Sequence, residues 1–211
     1  MFVPIEEKLK KIIPNVDQHD EFEYYKQILP KMIANGHAAH QTIPGYKDCK
    51  PEIEAFRWFD NINIPVHGYC DLKGKVIIED KCKFPKRGRV KKDGTRSWLT
   101  NKLPEEKPDS FHLLQIDFYY SVFKLPVYIC YINEESYKVF SAENCDDLKP
   151  ENIEKRIPKI IQRCKIRQNL MKLSTDPNVV KDYIQPQFDH YFWRNEMEED
   201  YLTDAMKFWD S

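Results

Sequence analysis

The chain has 211 residues, 41% of them hydrophobic, and a formal net charge of −1; these values are typical of a folded globular protein and exclude a disordered chain or a polycation. It lacks an apolar run of the about 20 residues that a membrane helix requires, a signal-peptide core and a transit-peptide composition. We therefore expect a protein of the cytoplasm, or of the host cytoplasm if it is viral, with no membrane partner; the alternative is a mature form whose leader has been removed.

The first predicted elements are helical. The residues that recur at helical spacing are Phe22, Tyr25, Ile28 and Leu29. Pro30 is expected to end that helix or to open a second one over about residues 30–40. In the second helix Ile33, Gly36 and His40 share one face, where the glycine would let another element approach closely.

Three strands are predicted next, at residues 52–60, 62–72 and 76–84. The turn Asp60-Asn61 separates the first two strands, and the tight turn Lys73-Gly74 separates the second from the third. The second and third strands are therefore expected to form an antiparallel hairpin.

A long polar stretch at residues 85–107 follows and is expected to be a functional or disordered loop. A helix at 109–123, a buried strand at 126–132 and a short strand at 137–140 come next, and Pro150 opens an amphipathic helix. This order indicates an α/β protein in which helices flank a central mixed sheet with antiparallel front strands. We predict one domain over 1–211, with a core at about 30–140 and a C-terminal helical extension at about 148–211.

Two carboxylates and a lysine are expected to meet on the predicted hairpin. Glu79 and Lys81 project from one face of their strand, whereas Asp80 and Cys82 project from the other. Asp71 ends the partner strand and can lie near Glu79 on the shared face. Paired carboxylates hold Mg²⁺ or Mn²⁺, and a lysine can stabilise charge on a phosphate or orient the attacking water. The alternative, favoured by the spacing alone, is a solvated hairpin with ordinary charged side chains.

Other polar residues surround this hairpin in the sequence. His40 can supply an imidazole ligand, although an isolated histidine is more often a surface or hydrogen-bonded residue. Gln115 and Tyr119 lie four apart on the helix after the long loop, and with His112 they form a polar stripe. That stripe can contact phosphates or bases, or it can simply face solvent.

The segment after Lys81 concentrates positive charge. Its basic residues are Lys83, Lys86, Arg87, Arg89, Lys91, Lys92 and Arg96. Such a run is usually a solvated loop, but its place beside the predicted site suits contact with a phosphate backbone. We predict DNA as the partner, either single-stranded or with a free end.

The six cysteines form no CxxC pair of the kind that zinc or iron–sulfur sites use. They are Cys49, Cys70, Cys82, Cys130, Cys145 and Cys164. We expect reduced structural thiols, because a free cysteine usually packs as a small hydrophobe.

The ordered series of polar residues resembles a known family. It consists of Gly36 with His40, Gly68 with Asp71, Glu79 with Lys81, and Gln115 with Tyr119. Over residues 36–119 its order and spacing resemble the RecB-like exonuclease branch of the PD-(D/E)XK nuclease superfamily, which includes small phage-type and mitochondrial genome-maintenance exonucleases. The resemblance implies a restriction-endonuclease-like core.

The resemblance also implies roles for these residues. The implied ligands of Mg²⁺ or Mn²⁺ are His40, Asp71, Glu79 and the main-chain carbonyl of Asp80, with Glu54 as a possible further ligand on a loose alignment. Lys81 would be the catalytic lysine beside the two carboxylates, and Gln115 and Tyr119 would support the site and the DNA strand. Some members hold an iron–sulfur cluster with one cysteine before the histidine motif and three near the C-terminus. No cysteine precedes His40 here, so no such cluster is expected.

The implied activity is a metal-dependent DNA exonuclease that hydrolyses phosphodiester bonds from DNA ends in recombination, repair, replication or phage DNA metabolism. One alternative is a structure-specific or restriction-like endonuclease that uses the same site. Another is a non-catalytic DNA-binding module, which the full set of polar residues disfavours. A helicase activity is not expected, because the chain has no P-loop pattern.

Overall fold

The computed structural model describes residues 19–90, 92, 96–181, 183 and 199–210. These residues belong to two compact units, and the boundaries of the first are Met1–Trp58 and Pro65–Ile160. The second unit comprises Phe59–Ile64 and Ile161–Ser211. None of the helices in the described ranges is long and apolar enough to cross a membrane.

The strands all lie in the first unit. In chain order they are β1 (Lys50–Arg57), β2 (Val66–Lys73), β3 (Ile77–Cys82), β4 (Lys86–Val90), β5 (Arg96–Leu99), β6 (Val127–Ile132) and β7 (Tyr137–Phe140). Five of them form one sheet in the order β1-β2-β3-β6-β7, while β4 and β5 form a separate two-stranded sheet. The β3–β6 pair is parallel and the other pairs of the large sheet are antiparallel. The prediction of an α/β fold with a mixed sheet is therefore confirmed.

The helices follow the predicted order. They are α1 (His19–Gln41), α2 (Ser110–Phe123), α3 (Pro150–Leu173), α4 (Pro177–Lys181) and α5 (Glu199–Asp210), and short 3-10 helices lie at Tyr46–Asp48 and Asp146–Leu148. The α1 helix packs on β6 and β7, and α2 packs on β1 and β3. Asp80 on β3 contacts His40 of α1, and its neighbour Lys81 contacts Gln115 of α2. Because adjacent side chains of a strand point to opposite faces, α1 and α2 lie on opposite faces of the sheet.

The continuous helix α1 corrects the prediction that the helix would break at Pro30. An internal proline removes one hydrogen bond and costs about 3 kcal/mol. Pro30 is exposed, however, while Ile28 and Met32 on either side of it are each only 4% exposed. Burial of two such side chains contributes about 1.5–3 kcal/mol each, which offsets the cost of the proline.

Gly36 brings α1 close to the sheet. A Cβ atom at this position would lie 3.3 Å from Cδ1 of Ile132 on β6. The expectation of a close approach at this glycine is therefore confirmed, and the approach brings His40, one turn later, over β3.

Two strand boundaries differ from the prediction. The first strand ends at Arg57, and the second begins at Val66 rather than near residue 62. Pro65 has no N–H to donate to a sheet, so it marks the boundary of β2.

The hairpin of β4 and β5 corrects the prediction of a loop over 85–107. Gly88 permits the two strands to approach, because a Cβ there would lie 2.9 Å from the carbonyl oxygen of Ser97. The hairpin packs on α1: the ring of Trp98 stacks on Tyr24 at 4.3 Å, with an angle of 4° between the planes. Sequence periodicity could not reveal this contact, since it joins residues far apart in the chain.

Candidate active site

The strands β2 and β3 separate where the predicted carboxylates stand. Their register pairs Leu72 with Ile78, which puts Asp71 opposite Glu79. Beyond that point β2 continues along β1, and β3 continues along β6. We call this point, where Asp71 of β2 and Glu79 of β3 face each other, the fork. Backbone N–H groups at the fork lose their hydrogen-bond partners on the neighbouring strand and need other acceptors.

The two carboxylates supply those acceptors. The N–H of Asp80 donates to Oδ2 of Asp71 at 2.7 Å, and the N–H of Asp71 makes a long hydrogen bond of 3.5 Å to Oε2 of Glu79. Each carboxylate is therefore held by the backbone of the opposite strand. The structure brings Asp71 and Glu79 together as the sequence predicts.

Glu79 is a buried acid, only 2% exposed. Burial raises the pKa of Glu79 to about 7; the charge of Asp71 adds to the rise, and Lys81 opposes it. The Nζ of Lys81 donates to Oε1 of Glu79 at 2.7 Å. A buried carboxylate with one ammonium partner and a second carboxylate nearby is an electrostatically demanding arrangement.

A chain of hydrogen bonds fixes the lysine. The Nζ of Lys81 also donates to Oε1 of Gln115 at 2.8 Å. The Nε2 of Gln115 donates to the hydroxyl of Tyr119 at 2.9 Å, and that hydroxyl donates to the carbonyl oxygen of Tyr69 on β2. Gln115 thus contacts Lys81 from α2, and Tyr119 holds Gln115.

His40 contacts the carboxylate of Asp80 and not that of Asp71 or Glu79, with which the resemblance implies a shared ion. Its Nε2 lies 2.9 Å from Oδ1 and 3.0 Å from Oδ2 of Asp80. The side chain of Asp80 projects from the opposite strand face to Glu79 and Lys81. The structure therefore brings His40 to the side chain of Asp80, whereas the resemblance implies an ion shared with Asp71, Glu79 and the Asp80 carbonyl.

Cys130 completes this second group. Its Sγ lies with the ligand atoms of His40 and Asp80 inside a cluster in which all are within 4.8 Å of one another. Burial raises the pKa of the Cys130 thiol, and the charge of Asp80 adds to the rise. Sequence reasoning assigned Cys130 no role, because its partners come from α1 and β3 rather than from neighbouring positions. All six cysteines are free, as expected of reduced thiols.

The carboxylates at the fork have the chemistry to accept a divalent cation. Asp71 is an exposed residue. Desolvation by the surrounding protein nevertheless raises the pKa of its carboxyl, and the charges of Asp80 and Glu52 raise that pKa further. Two acids, Asp71 and Glu79, thus lie together at the fork with Lys81 beside Glu79. Their oxygen atoms are the ligands that Mg²⁺ and Mn²⁺ prefer, and a cation would relieve their mutual repulsion.

Glu54 is not brought to the fork. Its exposed carboxylate lies 2.9 Å from Nε2 of His67, on the β1–β2 strand pair. The structure gives no contact between Glu54 and the acids at the fork.

The predicted DNA-binding residues fall into three groups. Lys83 donates to Oδ2 of Asp109 at 2.6 Å, so its charge is paired within the protein. Lys86, Arg89 and Lys92 are exposed. The others are Arg87 and Arg96, whose backbones lie in β4 and β5 but whose side chains are outside the described part, and Lys91, which lies outside it entirely.

His112 is held in its neutral form near Lys81. The hydroxyl of Tyr131 accepts the N–H of Asp109 at 2.9 Å and lies 2.7 Å from Nδ1 of His112. Because the hydroxyl oxygen already accepts a hydrogen bond from the N–H of Asp109, its own O–H can donate a hydrogen bond to Nδ1. Burial lowers the pKa of His112 to about 4, and the charge of Lys81 lowers it further.

Comparisons with known proteins give little support to any assignment. No protein-family model matches the chain, and no curated protein matches it. A solved structure described as the crystal structure of SSO0001 aligns with 88% of this chain and 78% of its own, at 15% identity and a TM-score of 0.37. A likeness of this size carries no conclusion about family or function.

Proposed function

We propose that the protein is a metal-dependent DNA exonuclease of the PD-(D/E)XK type with a restriction-endonuclease-like core. The observation that carries the proposal is the fork between β2 and β3, where Asp71 and Glu79 are each held by a backbone N–H. Lys81 lies 2.7 Å from Glu79 at the same place. Paired carboxylates beside a lysine suit metal-dependent phosphodiester hydrolysis.

Burial distinguishes this proposal from a solvated hairpin. The side chains of Lys81 and Glu79 are 16% and 3% exposed, whereas charged residues on a surface hairpin keep their hydration. Removing a carboxylate from water costs several kcal/mol even after the surroundings relax. The burial of these charges and the raised pKa of Glu79 therefore favour a functional site over a solvated hairpin.

The proposed cofactor is Mg²⁺ or Mn²⁺, held by Asp71 and Glu79, with His40 and the main-chain carbonyl of Asp80 as the further ligands that the resemblance implies. When bound, such an ion polarises a phosphoryl oxygen and lowers the pKa of a coordinated water.

The protein's own groups position the phosphate. An ammonium group has three donors, and Glu79 and Gln115 accept two from Lys81. The third is available to a phosphoryl oxygen, where negative charge develops during hydrolysis. Tyr119 holds Gln115, and burial raises the pKa of Tyr119 to about 12, so its hydroxyl keeps its proton. Together these contacts orient the lysine towards the substrate.

The basic hairpin suits the backbone of DNA. Lys86, Arg89 and Lys92 are exposed on the segment that follows Lys81 and Lys83 in the chain. Phosphate contacts of this kind position a nucleic acid but do not read its sequence. We therefore propose binding to DNA of any sequence.

The test compares end-labelled linear DNA with circular single-stranded DNA, each with Mg²⁺, Mn²⁺ or EDTA. An exonuclease should degrade the linear form, spare the circle and stop in EDTA. The Glu79→Gln variant should be inactive, while Glu143→Gln, at an exposed acid outside the site, should keep full activity. Cleavage of the circle would instead assign an endonuclease, and failure to cleave either DNA with either metal would contradict the proposal.

A further inference from the structure

The second group of ligand atoms lies on the face of β3 opposite to Lys81. It consists of the imidazole of His40, the carboxylate of Asp80 and the thiol of Cys130, whose ligand atoms are within 4.8 Å of one another. The side chains come from α1, β3 and β6, three elements that pack together. Their convergence is thus a product of the fold.

This donor set differs in chemistry from the acids at the fork. Thiolate and imidazole are ligands that zinc and similar borderline or soft cations select, whereas Mg²⁺ prefers oxygen alone. In a tetrahedral zinc site, neighbouring ligand atoms stand about 3.5 Å apart, given metal–ligand distances of about 2.0–2.3 Å. The His40–Asp80 separation of 2.9 Å would therefore open by about 0.6 Å, and separations of up to 4.8 Å would contract by at most about 1.3 Å, to reach that geometry. Three protein ligands leave a fourth position for water or another donor.

A cavity gives an ion access to two of these ligands. It has a volume of about 330 Å³ and lies between α1 and the sheet, with His40 and Asp80 among its lining residues. Gly36 and Cys82 also line it. His40 and Asp80 are partly open to solvent, with side chains 12% and 24% exposed. An ion that enters the cavity meets the imidazole and the carboxylate before the buried thiol.

We infer that His40, Asp80 and Cys130 form a binding site for a thiophilic divalent cation of the zinc class. On binding, the Sγ–metal bond forms as the thiol proton passes to the solvent, so no oxidant or reductant takes part. The two partly exposed ligands recruit the ion, and Cys130 gives the site its preference for zinc over Mg²⁺.

This site shares a residue with the fork. The N–H of Asp80 holds Asp71, while the side chain of the same residue belongs to the thiophilic site. Zinc would also occupy His40, which the resemblance assigns to the hydrolytic ion. We therefore expect zinc to inhibit cleavage. This consequence rests on the proposed nuclease function, whereas the binding of the cation does not.

The test titrates the full chain, reduced and freed of metal, with Cd²⁺ or Co²⁺ in the absence of DNA. Thiolate coordination produces a ligand-to-metal charge-transfer absorption, which should saturate at about one equivalent. Cys130→Ser should abolish this absorption. The matched control is Cys82→Ser, which removes a more exposed thiol that lines the cavity with His40 and Asp80 and should leave the absorption unchanged. A wild-type protein without the absorption, or one that loses it through Cys82→Ser but not Cys130→Ser, overturns the inference.

Two further variants keep the test decisive if substitution of the buried Cys130 prevents folding. His40→Ala and Asp80→Asn change partly exposed side chains and should each weaken Cd²⁺ binding at least about 10-fold. Unchanged affinity in both would also overturn the inference.

The two proposals can fail separately. Glu79→Gln should retain the Cd²⁺ absorption, and excess Mg²⁺ should not remove it. A protein that binds Cd²⁺ through Cys130 but cleaves no DNA contradicts only the nuclease proposal. A protein that cleaves DNA but gives no charge-transfer absorption contradicts only the thiophilic site.

Discussion

The backbone N–H of Asp80 donates a hydrogen bond of 2.7 Å to Oδ2 of Asp71, across the point where β2 and β3 separate. The carboxylate of Asp80 contacts His40 on the other strand face. One residue therefore connects the acids proposed for hydrolysis with the ligands proposed for a thiophilic cation. Since a substitution at Asp80 retains the peptide N–H, mutation can separate its two contributions.

The first prediction concerns Asp71→Asn. Asparagine can still accept the N–H of Asp80 through its side-chain oxygen, so the fold should persist while the charge is lost. We expect cleavage to be abolished. Thermal melting should show stabilisation of the wild-type protein by Mn²⁺, about 2.7 kcal/mol at 100 times its dissociation constant, and little in the variant. Normal turnover by Asp71→Asn would remove the central claim.

Lys81→Ala separates chemistry from metal binding. Loss of one electrostatic donor to the developing charge typically lowers the rate about 10²–10³-fold. Stabilisation by Mn²⁺ and DNA affinity measured in Ca²⁺ should persist. Lys75→Ala, at an exposed lysine in the turn before β3, serves as the control and should behave as wild type. If metal stabilisation vanished while turnover remained fast, Lys81 would be a structural residue.

Tyr119→Phe tests the positioning of Lys81 from α2. The change removes the hydroxyl that links Gln115 to the carbonyl of Tyr69. A hydrogen bond of this kind contributes about 1 kcal/mol, so turnover should fall about fivefold with no change in Mn²⁺ affinity. Steady-state kinetics beside a metal titration gives the comparison, and an equal loss in both measurements would indicate a general structural defect.

The stability of the metal-free protein should depend on the protonation of Glu79. Its pKa rises from 4.5 to about 7 in the folded state, because burial disfavours the charged form. A raised carboxyl pKa contributes stability below the unfolded value, and that stability is lost as pH increases through about 7. The loss is on the order of 3 kcal/mol.

Glu79→Gln should therefore be more stable than wild type at pH 8 but not at pH 4.5 without metal. Melting temperatures across this range provide the measurement. Mn²⁺ at pH 8 should raise the melting temperature of wild type and leave that of Glu79→Gln unchanged. Parallel pH profiles for the two proteins would show that Glu79 does not titrate in this range.

The basic hairpin should control DNA affinity without controlling chemistry. Replacement of the exposed residues Lys86, Arg89 and Lys92 by glutamate should weaken binding to any DNA sequence. Each lost contact to single-stranded DNA should reduce the magnitude of the slope of log K against log salt by about 0.7, so three contacts give about 2. Affinity can be measured at several salt concentrations with Ca²⁺ in place of Mg²⁺. An unaltered slope would place the DNA path elsewhere.

The sequence predicts those features that depend on local pattern. The helix near 109–123 and the strand at 137–140 lie where expected, because helical spacing and turn residues mark them. The approach of Asp71 to Glu79 also follows from hairpin register and strand alternation. These relationships involve neighbours along one strand pair.

Other features depend on contacts between distant elements and escape such reasoning. Burial on both sides of Pro30 keeps α1 continuous, although the proline alone favours a break. The β4–β5 hairpin packs on α1 through the stacking of Trp98 on Tyr24. The approach of Cys130 to Asp80 depends on the parallel pairing of β3 with β6. In each case the partner lies too far along the chain for periodicity to identify it.

The helix α1 carries a part of each proposed activity. Tyr24 anchors the basic hairpin before Pro30, and His40 contacts Asp80 after it. At 1.5 Å per residue these two positions are about 24 Å apart along the helix axis. The helix therefore fixes the distance between the basic hairpin that would hold DNA and the imidazole of His40 that would hold an ion. Pro30 lies between these two positions and lacks a backbone N–H, so bending of the helix at Pro30 would change the distance between the basic hairpin and His40.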